Sequence, residues 1–259
     1  MNALETRTRA ARDAGRKLLL PYVTGGVTDD WGDLLRAAVD AGADAIEIGF
    51  PFSDPTLDGP VIQQSSDQAL RRGATTRRIL DEIARVAPPV PVIAFSYANL
   101  VLRPGADAYC AALADAGVGG LIVPDLPVDE MAPVAAAAQA HALDLALLAA
   151  PSTPLRRCAD IARRSRGFVY AVSLMGTTGA RSRPHESARE LVRCLREETD
   201  LPVVLGFGIA APGQAAEAAG YADGIAVGSA LMRRLLDGAT TAQLGAFLAQ
   251  LRAALEPAG

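Results

Sequence analysis

A chain of 259 residues, half of them apolar and carrying a net charge of −4, is long enough to bury one sizeable core and has no basic excess to draw it to nucleic acid. Arginine pairs such as Arg71-Arg72 and Arg77-Arg78 fall on helical stretches and read as solvated faces. The three cysteines, Cys110, Cys158 and Cys194, have neither the even count of a disulfide framework nor metal-ligand spacing. With a polar N-terminus and no apolar stretch near the ~18 residues of a membrane span, these features predict a soluble cytoplasmic protein that uses no membrane.

Eight short apolar runs follow one another: 17–23, 44–50, 90–97, 119–126, 143–150, 167–174, 201–208 and 221–229. Between them lie Ala- and Leu-rich stretches at helical spacing, such as WGDLLRAAVDAG and DAYCAALADAG, so the order is strand then helix, repeated. Near-continuous apolar strands imply a parallel sheet covered on both faces. Eight units in a chain of this length favour a closed (β/α)₈ TIM barrel over an open doubly wound sheet, as a single domain over residues 1–259. An additional N-terminal helix is expected to cap the barrel bottom, and GAFLAQLRAAL at 245–255 reads as the eighth or a closing helix.

The working face of such a barrel is the C-terminal end of its strands. There the second run, ADAIEIGF, continues into PFSDPTLDGP and places Glu47 inside an apolar strand, with Asp54 and Asp58 on the loop beyond. A buried acid without a partner costs several kcal/mol, so Glu47 should have a raised pKa suited to taking and giving a proton near neutral pH. Asp58 is expected to be better solvated and ionised; as a turn residue it has an equally good structural explanation, and Asp54 in Ser-Asp-Pro has a stronger one. Asp125, Tyr22 and Tyr170 complete the candidate groups. The single lysine, Lys17, opens the first strand at the wrong end for a Schiff base, and His141 and His185 lack the spacing of a metal site.

Gly179, Gly206, Gly208, Gly228 and Ser229 follow the sixth, seventh and eighth runs, where barrels commonly hold phosphate with backbone N–H groups. Each glycine taken alone could simply supply turn geometry, and no Walker or dinucleotide fingerprint is present.

In order along the chain, PYVTGG, EIGFPFSDPTLDGPVIQ, YANLV, VPDLPVDE, VYAVSLMGTTGAR, GFGI and VGSA resemble the α subunit of tryptophan synthase. The resemblance implies a (β/α)₈ barrel that cleaves indole-3-glycerol phosphate to indole and glyceraldehyde 3-phosphate. It implies Glu47 as proton shuttle and Asp58 as the group at the indole N–H. Tyr22, Leu100, Tyr170, Thr178 and Phe207 would surround the substrate, and Gly179, Gly208, Gly228 and Ser229 would cradle its phosphate. Asp54 would contact a tryptophan synthase β subunit in an α₂β₂ complex, with pyridoxal phosphate confined to that partner and no cofactor or metal in this chain. The same acids would serve a free-standing lyase releasing indole. An inactive subunit that only activates a β partner is the third reading.

Overall fold

The computed structural model describes residues 2–172, 184–206 and 208–256, so that Thr178, Gly179 and Phe207 lie outside the described residues. Nine parallel strands occur among the described residues: β1 (Leu18–Thr24), β2 (Ile46–Gly49), β3 (Val92–Phe95), β4 (Val118–Ile122), β5 (Asp144–Leu145), β6 (Leu148–Ala149), β7 (Val169–Val172), β8 (Val203–Gly206) and β9 (Gly224–Val227). Their order is β5-β4-β3-β2-β1-β9-β8-β7-β6. The two ends of that order, β5 and β6, are consecutive in the chain. The expected fifth run is therefore one short stretch split into halves: Gly120 and Leu121 pair with β5, while β6 pairs with Tyr170 and Ala171. The sheet closes as a (β/α)₈ barrel, as expected, with the fifth stave handing its backbone bonds from one neighbour to the other. The observed strands are shorter than the apolar runs. Pro91 and Pro124, which have no N–H to donate, flank β3 and follow β4.

Strand burial is nearly complete, as both-face coverage requires. The N-terminal helix Ala3–Asp13 lies across the barrel bottom, where Leu4 is fully buried. A Cβ on Gly120 or Gly167 would come within 2.6 or 2.9 Å of Leu4 Cδ2, and Gly167 has φ +83°, so both positions admit the plug only as glycine. The closing helix Thr241–Ala254 starts on a capping box in which Thr240 and Gln243 satisfy each other's backbone N–H groups.

The N-terminal rim is held by three buried acids. Asp44 accepts from Arg16 Nε at 2.9 Å, Leu19 N–H at 2.9 Å and Arg252 Nη1 at 3.2 Å. Asp144 accepts from Asn2 Nδ2 at 3.0 Å and Glu5 N–H at 2.8 Å, tying down the N-terminal helix. Asp223 accepts from Val203 N–H at 2.8 Å and pairs with Arg196. Lys17 belongs to this end, its Nζ donating to Ala222 O at 2.9 Å. It stands where the sequence placed it, remote from the working face.

Candidate active site

Glu47 is the second residue of β2, paired in register with Tyr22 of β1 and Ile93 of β3. It is 1% exposed, and its Oε1 has no hydrogen-bond partner among the described residues. Burial alone pushes its carboxyl up to about 8, in the direction expected from the apolar run around it. The side chain lines a cavity of ≈ 340 Å³ at the C-terminal mouth of the barrel.

Asp58 lines the same cavity from the loop after β2. That loop ends at Gly59, which caps the helix Pro60–Arg71, and the proline at the first helical position gives up an N–H that would have had no partner. Asp58 is half-buried and less solvated than expected. Burial pushes its carboxyl up to about 6, opposed by a hydrogen bond from Tyr97. A group with this value is still mainly ionised at neutral pH, so the expectation of an anion survives although its stated cause does not.

The rest of the wall is aromatic and apolar: Tyr22, Phe95, Tyr170 and Ile62. Phe95 meets Tyr22 edge-on at 5.9 Å and Tyr170 at 6.5 Å, so the three rings form one cluster over the barrel core. Two glycines make room for it. A Cβ on Gly49 would lie 1.8 Å from Tyr22 Oη, and one on Gly206 would lie 1.9 Å from Tyr170 Cε1. Gly206, read from its position as part of a phosphate turn, thus has a packing reason of its own.

The opposite side of the cavity is built by Gly208, Ile209, Ala210, Gln214, Gly228, Ser229 and Ala230. Gly208 has φ +84° and is required by its backbone conformation. Gly228 differs: its φ is −109°, and a Cβ there would meet only Tyr22 at 3.4 Å, an ordinary contact. Nothing in the turn itself requires glycine at 228. The helix Ser229–Leu236 begins here, and its first N–H groups, having no intrahelical acceptor, open toward a cavity that holds no basic side chain among its lining residues. This arrangement suits an anion bound by backbone N–H groups.

Leu100 is not brought to this cavity. It lies in the short helix Ala98–Leu102 and lines a separate space of ≈ 560 Å³ between outer helices, with Leu80 and Tyr109. Phe95, at the end of β3, occupies the cavity wall instead, because a strand-end side chain can point into the barrel whereas the following helix turns away from it. Asp54 sits on the solvent-facing part of the loop, beside Leu57, which is 55% exposed. Asp125, considered for chemistry, accepts from Ala98 N–H at 2.7 Å and so supports the start of the short helix. Sequence reasoning missed Phe95, Ile62, Gln214 and Tyr97. Tyr97 and Ile62 had a signal in the sequence, their places in YANLV and EIGFPFSDPTLDGPVIQ.

Barrel topology and a buried acid lining a cavity at one mouth define a (β/α)₈ barrel with a candidate acid-base site. The sequence matches the family profile described as tryptophan synthase alpha chain over residues 8–254, and the chain belongs to that family. A tryptophan synthase alpha chain from Picosynechococcus sp. is 42% identical over 251 residues, covering 95% of each chain. One from Streptomyces avermitilis is 44% identical over 232 residues, 88% of this chain and 84% of the relative. Among solved structures, the aminoacrylate-bound form of tryptophan synthase from M. tuberculosis superimposes with a TM-score of 0.89 at 37% identity, covering 99% of this chain and 100% of that one. The tryptophan synthase subunit alpha of Legionella pneumophila gives a TM-score of 0.89 at 30% identity, covering 98% of both.

Proposed function

We propose that this chain cleaves indole-3-glycerol phosphate to indole and glyceraldehyde 3-phosphate, with Glu47 moving the proton and Asp58 balancing charge at the ring nitrogen. The observation that carries this reading is Glu47 itself, a buried carboxyl with an oxygen that has no partner among the described residues, lining a cavity that Asp58 also lines. With values of about 8 and about 6, Glu47 retains its proton at neutral pH while Asp58 is mainly ionised. Those are the states the reaction needs at its start. Glu47 gives its proton to the ring carbon that bears the glycerol chain, and the Asp58 carboxylate offsets the positive charge that develops at the ring N–H. Glu47, now a carboxylate, takes the proton of the hydroxyl on the adjoining chain carbon. The O–H electron pair becomes the aldehyde C=O, and the electrons of the breaking carbon–carbon bond return to the ring. Indole and the aldehyde phosphate are released, and Glu47 is again protonated.

The aromatic wall of Tyr22, Phe95 and Tyr170 suits the indole, while Gly208, Gly228 and Ser229 suit the phosphate. Thr178, Gly179 and Phe207 keep their assigned places in the proposal. The outward part of the loop, with Asp54 and exposed Leu57, is the surface offered to a β subunit, whose pyridoxal phosphate would belong to that partner. The relatives bear the name tryptophan synthase alpha chain, which favours the subunit over a free-standing lyase, and the presence of both acids argues against an inactive activator. Among the described residues no helix is long and apolar enough to cross a membrane, in keeping with a cytoplasmic place.

The test is Glu47→Gln, assayed for indole formation with and without a β subunit. A neutral amide cannot carry the proton, so turnover should fall by roughly 10² to 10⁴ while the circular dichroism spectrum is retained. Near-normal turnover in the folded variant would overturn the assignment.

A further inference from the structure

The helix Pro212–Ala219, on the side of the cavity built by Gly208 and Ser229, starts without a capping side chain at its own N-cap. That residue is Ala211, which has no side-chain oxygen, and the proline that follows has no N–H. Gln214, the third residue of the helix, supplies an acceptor instead, its Oε1 taking the Ala210 N–H at 2.8 Å. The closing helix Thr241–Ala254 offers an internal comparison: Gln243 is also third, and its Oε1 accepts from the N-cap Thr240 N–H at 2.8 Å. Gln214 reaches one residue further back, past the N-cap to the residue before it. The longer reach lays its amide against the turn that leads from Gly208 into the helix, and there Gln214 lines the cavity together with Gly208, Ile209 and Ala210.

This bond decides which end of the amide is left over. The Ala210 N–H can only donate, so the atom that meets it must be the oxygen, and Nε2 lies on the other side of the planar group. Nε2 donates to no described residue. Its two N–H bonds are the only side-chain N–H donors among the residues lining the cavity, whose other polar side chains are Glu47, Asp58, Tyr22, Tyr170 and Ser229. Glu47, 1% exposed and with an oxygen that no described residue satisfies, lines the same space. A neutral amide brings donors to an anion without a positive charge that would pair with the two carboxyls.

We infer that Gln214 is a further ligand residue of the phosphate cradle, its Oε1 locked on Ala210 and its Nε2 donating to an oxygen of a bound phosphate monoester. The inference rests on the reading of this side of the cavity as the phosphate end, and it is independent of the cleavage chemistry. A capping role needs only the oxygen of the amide; a binding role needs the nitrogen. Gln214→Glu separates the two, because a carboxylate keeps an acceptor for Ala210 N–H, is favourable in the first turn of a helix and has no N–H to give.

The experiment titrates the full chain with glycerol 3-phosphate by calorimetry, with glycerol as the probe that lacks the anion. Gln214→Glu should melt at an unchanged or higher temperature yet bind glycerol 3-phosphate about 10- to 100-fold more weakly. Gln214→Met adds no charge and should weaken binding about tenfold, which separates loss of the donor from repulsion by a new carboxylate. In the unsubstituted protein the side-chain ¹⁵N–¹H signals of Gln214, assigned by their loss in Gln214→Glu, should shift on addition of glycerol 3-phosphate and not of glycerol; this measurement stands even if Gln214→Met folds poorly. Glycerol 3-phosphate bound with undiminished affinity by Gln214→Glu, or side-chain amide signals unmoved at saturation, would overturn the proposal and leave the phosphate end in place. An unsubstituted chain that does not bind glycerol 3-phosphate at all would sink the phosphate reading, and Gln214 with it.

Discussion

Glu47 and Asp44 are both buried acids, three residues apart, Asp44 two residues before β2 and Glu47 within it. Asp44, at the N-terminal rim, accepts three hydrogen bonds, from two arginines and a backbone N–H. Glu47, at the C-terminal mouth, has an oxygen with no partner among the described residues. Asp144 and Asp223 repeat the bonded pattern at the bottom. Burial by itself therefore does not mark a functional acid here, because this fold buries acids at both ends and satisfies those at one end. Glu47 differs in having a desolvated carboxyl oxygen that no described residue satisfies.

That contrast has energetic consequences of opposite kind, and the pH dependence of Glu47 should be the largest. Its folded-state value of about 8 lies above the ordinary 4.5, so between those values the folded chain keeps a proton that the unfolded chain releases. Stability is accordingly fullest below 4.5 and declines as pH rises to about 8; between pH 5.5 and 8.5 this one group should remove about 3 kcal/mol. In Glu47→Gln that part of the decline disappears. Urea unfolding of the two proteins at the two pH values checks it, and parallel declines would mean that Glu47 is not held protonated.

Asp44→Ala should act at a similar scale but independently of catalysis. It takes the carboxylate partner from Arg252, which is almost fully buried and whose Nε has no partner among the described residues. Loss of such a partner should cost about 3 kcal/mol of stability, with indole formation per folded molecule unchanged. A neutral effect on thermal unfolding, or a selective loss of turnover at full stability, would break the division of labour between the two ends.

The smallest effect is expected at Gly228, where the backbone needs no glycine and the proposed phosphate would approach it. Gly228→Val should retain the fold and weaken binding of glycerol 3-phosphate by about tenfold, equivalent to about 1.4 kcal/mol in calorimetry. Undiminished affinity would move the phosphate away from the helix Ser229–Leu236.

Much of this was legible along the chain. Apolar runs alternating with helical periodicity led to the (β/α)₈ barrel, because strand and helix periods are local properties of sequence. Glu47 stood out because an acid inside an apolar run is anomalous wherever it occurs, and its displaced pKa follows from burial alone. Glycine roles were only half legible: composition shows where glycines cluster but not whether a positive φ or a tyrosine ring requires each one, as Gly208 and Gly206 respectively illustrate.

What tertiary structure alone decided is which side chains meet. Leu100 and Phe95 are five residues apart, and the boundary between β3 and the next helix sends one to an outer groove and the other to the cavity. The burial that pushes the Asp58 carboxyl up is set by the tertiary fold, and the role of Asp125 depends on an N–H in a different loop. Local composition determined the elements and flagged the buried acid, since both depend on neighbours in the chain. Barrel closure alone could convert strand ends far apart in sequence into one cavity lined by both Glu47 and Asp58.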